Sequence, residues 1–171
     1  MHTLAEINRM DRPAFVATLG GVFEHSPWVA ERAWKARPFD SLEALHAAMM
    51  QEIFTADGAT RLALLRAHPE LAGREVIAGN MTADSTSEQA RLGLNAVTSS
   101  ELAHMAELNR RYRERFGFPC IIALRLHADR ASLLAEFGRR LANDSAGEQV
   151  AALEQVGCIA MGRLQRLARE K

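Results

Sequence analysis

The chain has 171 residues, enough for one substantial hydrophobic core and too few for two, so a single domain spanning 1–171 is expected. Lys plus Arg and Asp plus Glu balance at 21 each, which excludes a net field drawing the protein to nucleic acid or an anionic membrane; any ligand must be recognised locally. No uncharged apolar run approaches the roughly 20 residues of a membrane span, and the first residues lack a basic segment followed by an apolar one, so a soluble, cytoplasmic protein is expected.

Alanine and leucine are abundant, β-branched residues sparse and aromatics only 6%, which favours helices over sheet. Asp11 is placed to cap a first helix with Pro13 in its opening turn; Phe15, Val16 and Leu19 are its apolar positions, and Val22 and Phe23 follow the Gly20-Gly21 break. Ser26-Pro27 repeats the device before Trp28 to Ala36, and Pro38 stops that segment. Ser41 can cap the next helix, in which Leu42, Leu45, Met49 and Ile53 recur at intervals of three or four, and Asp57-Gly58 ends it. A helix from about Thr60 then delivers His68.

The pattern is weak from Gly73 to Asp84, with Gly79-Asn80 as a turn, and reads as an irregular or short-helical connection. Ser85-Thr86-Ser87-Glu88 fits a capping box, and Thr98-Ser99-Ser100-Glu101 fits it again, starting a long helix with Leu102, Met105, Leu108 and Tyr112 that stops at Gly117. Phe118 to Leu124 is an unbroken apolar run containing Pro119, either extended or the start of a buried helix, and in both cases a passage through the core. Asp129 can cap a further helix with Leu133, Leu134, Phe137 and Leu141. Ser145-Ala146-Gly147-Glu148 is a third capping box, opening a last helix whose buried stripe is Val150, Leu153, Val156, Ile159 and Ala160. The expected fold is all-α, a single domain of about seven or eight helices. Cys120 and Cys158 stand far apart in apolar sequence without metal-ligand spacing, as reduced buried thiols do.

The departure from plain helix-building is Ala67-His68-Pro69-Glu70-Leu71-Ala72-Gly73-Arg74. Proline pushes His68 out of the α region and pins it at a helix end, where the negative end of the helix favours the protonated ring. Glu88 offers a carboxylate, so the two can form an acid/base pair, although a histidine at a helix end is more often a dipole partner or surface residue, and the capping box already explains a glutamate at 88. Ser85, Ser87 and Gln89 crowd hydrogen-bonding groups around a helix N-terminus suited to an anionic or carbonyl-rich ligand. Arg163, near the end of the last helix, is either solvated or an inward fork for a carboxylate or imide. A rival reading uses two Glu-x-x-His units, Glu43 with His46 and Glu101 with His104, as in di-iron carboxylate bundles; no further pair of inward glutamates supports it. Neither cysteine has a basic neighbour, and nucleophile elbows, phosphate loops and dinucleotide fingerprints are missing from the sequence.

Several stretches nonetheless belong together: Glu24-His25-Ser26-Pro27-Trp28-Val29-Ala30, Arg37-Pro38-Phe39, Ala67-His68-Pro69-Glu70-Leu71-Ala72-Gly73, Ser85-Thr86-Ser87-Glu88-Gln89, Gly93-Leu94, Leu108-Asn109-Arg110-Arg111-Tyr112 and Phe116-Gly117-Phe118-Pro119-Cys120-Ile121-Ile122. In this order, from about residue 15 to 167, they resemble the OHCU decarboxylase family of urate catabolism, OHCU being 2-oxo-4-hydroxy-4-carboxy-5-ureidoimidazoline. The resemblance implies an all-helical enzyme, usually a homodimer, that uses neither metal nor organic cofactor and converts OHCU to (S)-allantoin. Carried over by position, His68 would be the catalytic acid/base and proton donor and Glu88 its partner. Pro69, the turn Ser85, Thr86, Ser87, Glu88 and Gln89, and the backbone of Cys120, Ile121, Ile122, Ala123 and Leu124 would line the substrate, with Arg163 matching the arginine of the family's last helix. Cys120 stands where the family often has a phenylalanine, which bears on packing more than on chemistry. The alternative is a non-catalytic helical binding module on the same scaffold.

Overall fold

Capping side chains set where most helices begin. The computed structural model describes residues 1–73, 82–94 and 98–169. These form two compact units, Met1–Ala67 with Gly157–Lys171, and His68–Val156.

In the first unit, β1 (His2–Thr3) and β2 (Ala168–Arg169) pair in parallel, His2 opposite Ala168 and Thr3 opposite Arg169. The capping box of Thr3 and Glu6 starts α1 (Leu4–Arg9), and Asp11, accepting from the Ala14 amide, starts α2 (Arg12–Leu19) with Pro13 in its first turn. Val22 and Phe23 turn into the core after Gly20. Helix α3 (Trp28–Ala33) tightens into a 3₁₀ turn, Trp34–Ala36, ahead of the cis Arg37-Pro38 bond. Ser26 does not cap it as expected: Pro27 holds the cap position, and the Ser26 hydroxyl donates to the Glu24 carbonyl instead. Ser41 caps α4 (Leu42–Thr55), which buries Leu42, Leu45, Met49, Met50 and Ile53. Asp57 begins the next helix rather than ending this one: its carboxylate accepts from the Thr60 amide at 2.8 Å, so α5 is Gly58–Arg66.

In the second unit the helix expected from Ser85 begins earlier. Thr82 is the cap, accepting from the Ser85 amide at 3.3 Å, and α6 spans Ala83–Arg91. Thr82 offers the same hydroxyl three residues ahead of Ser85, and Asp84 in the first turn complements the positive helix end. The connection expected from Gly73, including Gly79-Asn80, falls largely outside the described residues. The Thr98–Glu101 capping box opens α7 (Ser99–Phe116), which Gly117 ends in the left-handed region at φ 78°. The apolar run from Phe118 to Leu124 is extended and buried, leading to a 3₁₀ turn, Leu124–Leu126. Asp129 caps α8 (Arg130–Leu141).

The third expected capping box is also displaced. Asp144 accepts from the Gly147 amide at 2.7 Å, and α9 (Ser145–Leu167) starts one residue earlier, leaving Glu148 to turn inward. The stripe of α9 then falls on Ala152, Leu153, Val156 and Ala160, while Val150 is exposed. Around Tyr112 the rings of Phe116, Phe118 and Phe137 pack, the last two edge-on. Among the described residues there are nine α-helices and one two-residue strand pair, in keeping with the all-α expectation.

Candidate active site

His68 follows the end of α5 by two residues and is buried, 7% exposed, with Pro69 half-buried beside it. The stretch after it forms a tight turn, in which the Gly73 amide donates to the Glu70 carbonyl at 3.3 Å and Ala72 adopts a left-handed φ of 49°. A side chain in that region costs about 1–2 kcal/mol, so the conformation persists only where surroundings impose it. They do so here. The Gln89 side chain accepts from the Ala72 amide at 2.9 Å and donates to the Glu70 carbonyl at 3.1 Å, Asn109 donates to the Leu71 carbonyl at 2.9 Å, and Arg113 pairs with the Glu70 carboxylate.

Helix α6 divides the polar cluster by face. Ser85, Glu88, Gln89 and Leu92 lie at helical spacing; Ser85, Gln89 and Leu92 are buried and Glu88 is half-buried. Thr86 and Ser87 are exposed, and their hydroxyls donate to the Thr82 and Asp84 carbonyls of their own helix. The early start of α6 corrects two readings. Glu88 stands a full turn inside the helix and closes no capping box, and the amides of Ser85 and Thr86 are committed to Thr82 rather than offered to an anion.

The buried segment Cys120, Ile121, Ile122, Ala123 and Leu124 is held by side chains from three helices. Arg140 donates to the Ile121 carbonyl at 3.0 Å, the Ala123 amide donates to Gln155 at 2.8 Å, and Arg91 donates to the Leu124 carbonyl. Arg91 thus ties the segment to the helix that carries Glu88. Arg140 is itself neutralised by Glu148, both fully buried, and Glu148 also accepts from Tyr112 and from Asn143 at 2.7 Å. Burial pushes the Cys120 thiol up, so it stays protonated and is no nucleophile.

Arg163 lies in the first unit, 2% exposed, donating to the Glu24 carboxylate at 2.9 Å and more distantly, at 3.4 Å, to the Val22 carbonyl. The residues of the di-iron reading have other engagements: His46 Nε2 lies 2.9 Å from the Gly157 carbonyl, and Glu101 closes the Thr98 cap and pairs with Arg130 at 3.1 Å. Among the described residues no group of three His, Cys, Asp or Glu side chains is placed to hold a metal ion. Sequence reasoning missed Glu24, Arg91, Asn109 and Arg140. Glu24 and Asn109 stood in the stretches that carry the resemblance without a role assigned to them, and Asn109 is also the polar residue within the stripe Met105, Leu108, Tyr112 of α7.

The OHCU decarboxylase family profile matches residues 8–165, through both units. The chain belongs to this family. A Haloferax volcanii 2-oxo-4-hydroxy-4-carboxy-5-ureidoimidazoline decarboxylase is 40% identical over 162 residues, covering 95% of this chain and 94% of the relative. A decarboxylase of the same name from Mus musculus is 37% identical over 164 residues, 96% and 92% of the two chains. A solved (S)-allantoin synthase superposes with a TM-score of 0.77 at 30% identity, over 97% of this chain and 54% of that one. Membership covers the two stretches that meet through Gln89, the turn after His68 and the helix of Glu88.

Proposed function

We propose that the protein is an OHCU decarboxylase, a carboxy-lyase of urate degradation that forms (S)-allantoin. The observation that carries this is the family match over nearly the whole chain, at 36–40% identity to relatives of that name. His68 is the proton donor in this reading and Glu88 its partner. Pro69, Ser85, Gln89 and the main chain of Cys120 to Leu124 surround the substrate, and Arg163 serves its carbonyl or ureido oxygens.

The chemistry suits these residue types. When the bond to the carboxylate carbon breaks, carbon dioxide leaves and the electron pair passes into the conjugated imine and carbonyl system of the ring. The substrate is its own electron sink. What remains for the protein is to position the ring, stabilise spreading negative charge with main-chain amides and a guanidinium, and deliver one proton to one face. A histidine that titrates near neutrality is suited to that delivery, an effect typically worth about 10²- to 10⁴-fold. Protonation in bulk water has no facial preference, so stereochemical control is part of the function. The two compact units act as one functional domain in this reading, and the enzyme works as a cytoplasmic homodimer. No helix among the described residues is long and apolar enough to cross a membrane.

The test generates OHCU in situ and follows optically active allantoin by circular dichroism. Faster decay with a single enantiomer is expected; an unchanged rate with racemic product would instead support a binding module.

A further inference from the structure

The turn after His68 is built at a cost. Ala72 is held in the left-handed region, and the buried side chain of Asn109, 3% exposed, leaves Oδ1 without a hydrogen-bond partner among the described residues. Its orientation is not in question: exchanging the amide oxygen and nitrogen would set two acceptors, Oδ1 and the Leu71 carbonyl, against each other. A leucine, with the same number of side-chain heavy atoms, would bring no acceptor of its own to this site on the Met105, Leu108, Tyr112 stripe. What asparagine supplies and leucine cannot is the 2.9 Å bond to the Leu71 carbonyl. Local rules broken together, around a proline-pinned histidine, mark a place where geometry is kept for function.

We infer that Asn109 is a positioning residue for the reaction: by anchoring the Leu71 carbonyl it fixes the Glu70–Gly73 turn and thereby the bearing of His68. Gln89 shares the task. Its amide oxygen and nitrogen already serve the Ala72 amide and Glu70 carbonyl, so it holds the turn from the opposite helix, α6. The inference rests on the reading of His68 as proton donor.

The experiment compares Asn109→Leu with the wild type at several concentrations of OHCU generated in situ. The substitution exchanges one unpaired acceptor, Oδ1, for another, the Leu71 carbonyl, so the melting temperature should move little. Misplacement of the proton donor should lower kcat about 10- to 100-fold with KM within about twofold. Unchanged kcat, or a loss confined to KM, overturns the inference, the latter because it would make Asn109 a substrate contact. Asn109→Asp provides a second measure: only its protonated carboxyl can donate to the Leu71 carbonyl, so its kcat relative to wild type should rise as pH falls, and a flat ratio near one overturns the inference. His68→Asn separates the two layers. Retained activity there removes the reading of His68 itself, whereas an inactive His68→Asn beside a fully active Asn109→Leu removes only the role of Asn109.

Discussion

Glu88 shows how much one turn of helix register changes the meaning of a residue. At the third position of a helix it would be explained by the backbone amide it satisfies; a turn further in, half-buried on the face of Ser85 and Gln89, it performs no capping. Replacing it with glutamine therefore separates chemistry from stability. Glu88→Gln should shift the melting temperature by less than about 4 °C, equivalent to roughly 1 kcal/mol in a chain of this size. Turnover of OHCU should fall by about 10²-fold or more if the carboxylate supports the proton donor. Thermal melts and single-enantiomer allantoin formation on the same preparation check both; a large loss of stability with normal turnover per folded molecule would return Glu88 to a structural role.

At the scale of elements, helix existence was legible and helix starts were not uniformly so. Ser41, Thr98 and Asp129 cap where expected, each side chain accepting from the backbone amide three residues on. Thr82 and Asp144 displaced Ser85 and Ser145 because runs such as Thr82-Ala83-Asp84-Ser85 and Asp144-Ser145 contain two competent caps, and tertiary contacts choose between them. Those contacts, Gln89 against the turn and Glu148 against Arg140, join residues on different elements, 19 and 8 apart in sequence, and leave no local periodic signal. Thr82→Ala should cost about 1 kcal/mol. Thr82→Asp should recover it, since an aspartate caps as well and favours the positive helix end. Urea titration of the three proteins reads the outcome, and no recovery with aspartate would argue that the helix begins elsewhere.

For the molecule as a whole, the motif set legible in the sequence identified the family, whereas the scaffold of the second unit rests on a feature that composition hides. Arg140 and Glu148, both fully buried, look in sequence like two more charges of helical surfaces. Removing one partner strands the other without water, which costs about 3–5 kcal/mol. Glu148→Ala should therefore lower stability by that amount in urea, and the paired replacement Arg140→Met with Glu148→Leu should restore most of it. Equal loss in the single and the paired variant would show that the surrounding bonds, not the ion pair, carry the cost. Cys120 sits against this network, 1% exposed, its thiol held protonated by burial, whereas Cys158 is half-buried. A thiol reagent reaches Cys120 only when the second unit opens. The rate at which that one sulfur is consumed is thus a clock for local unfolding, and it ticks in native buffer, without denaturant.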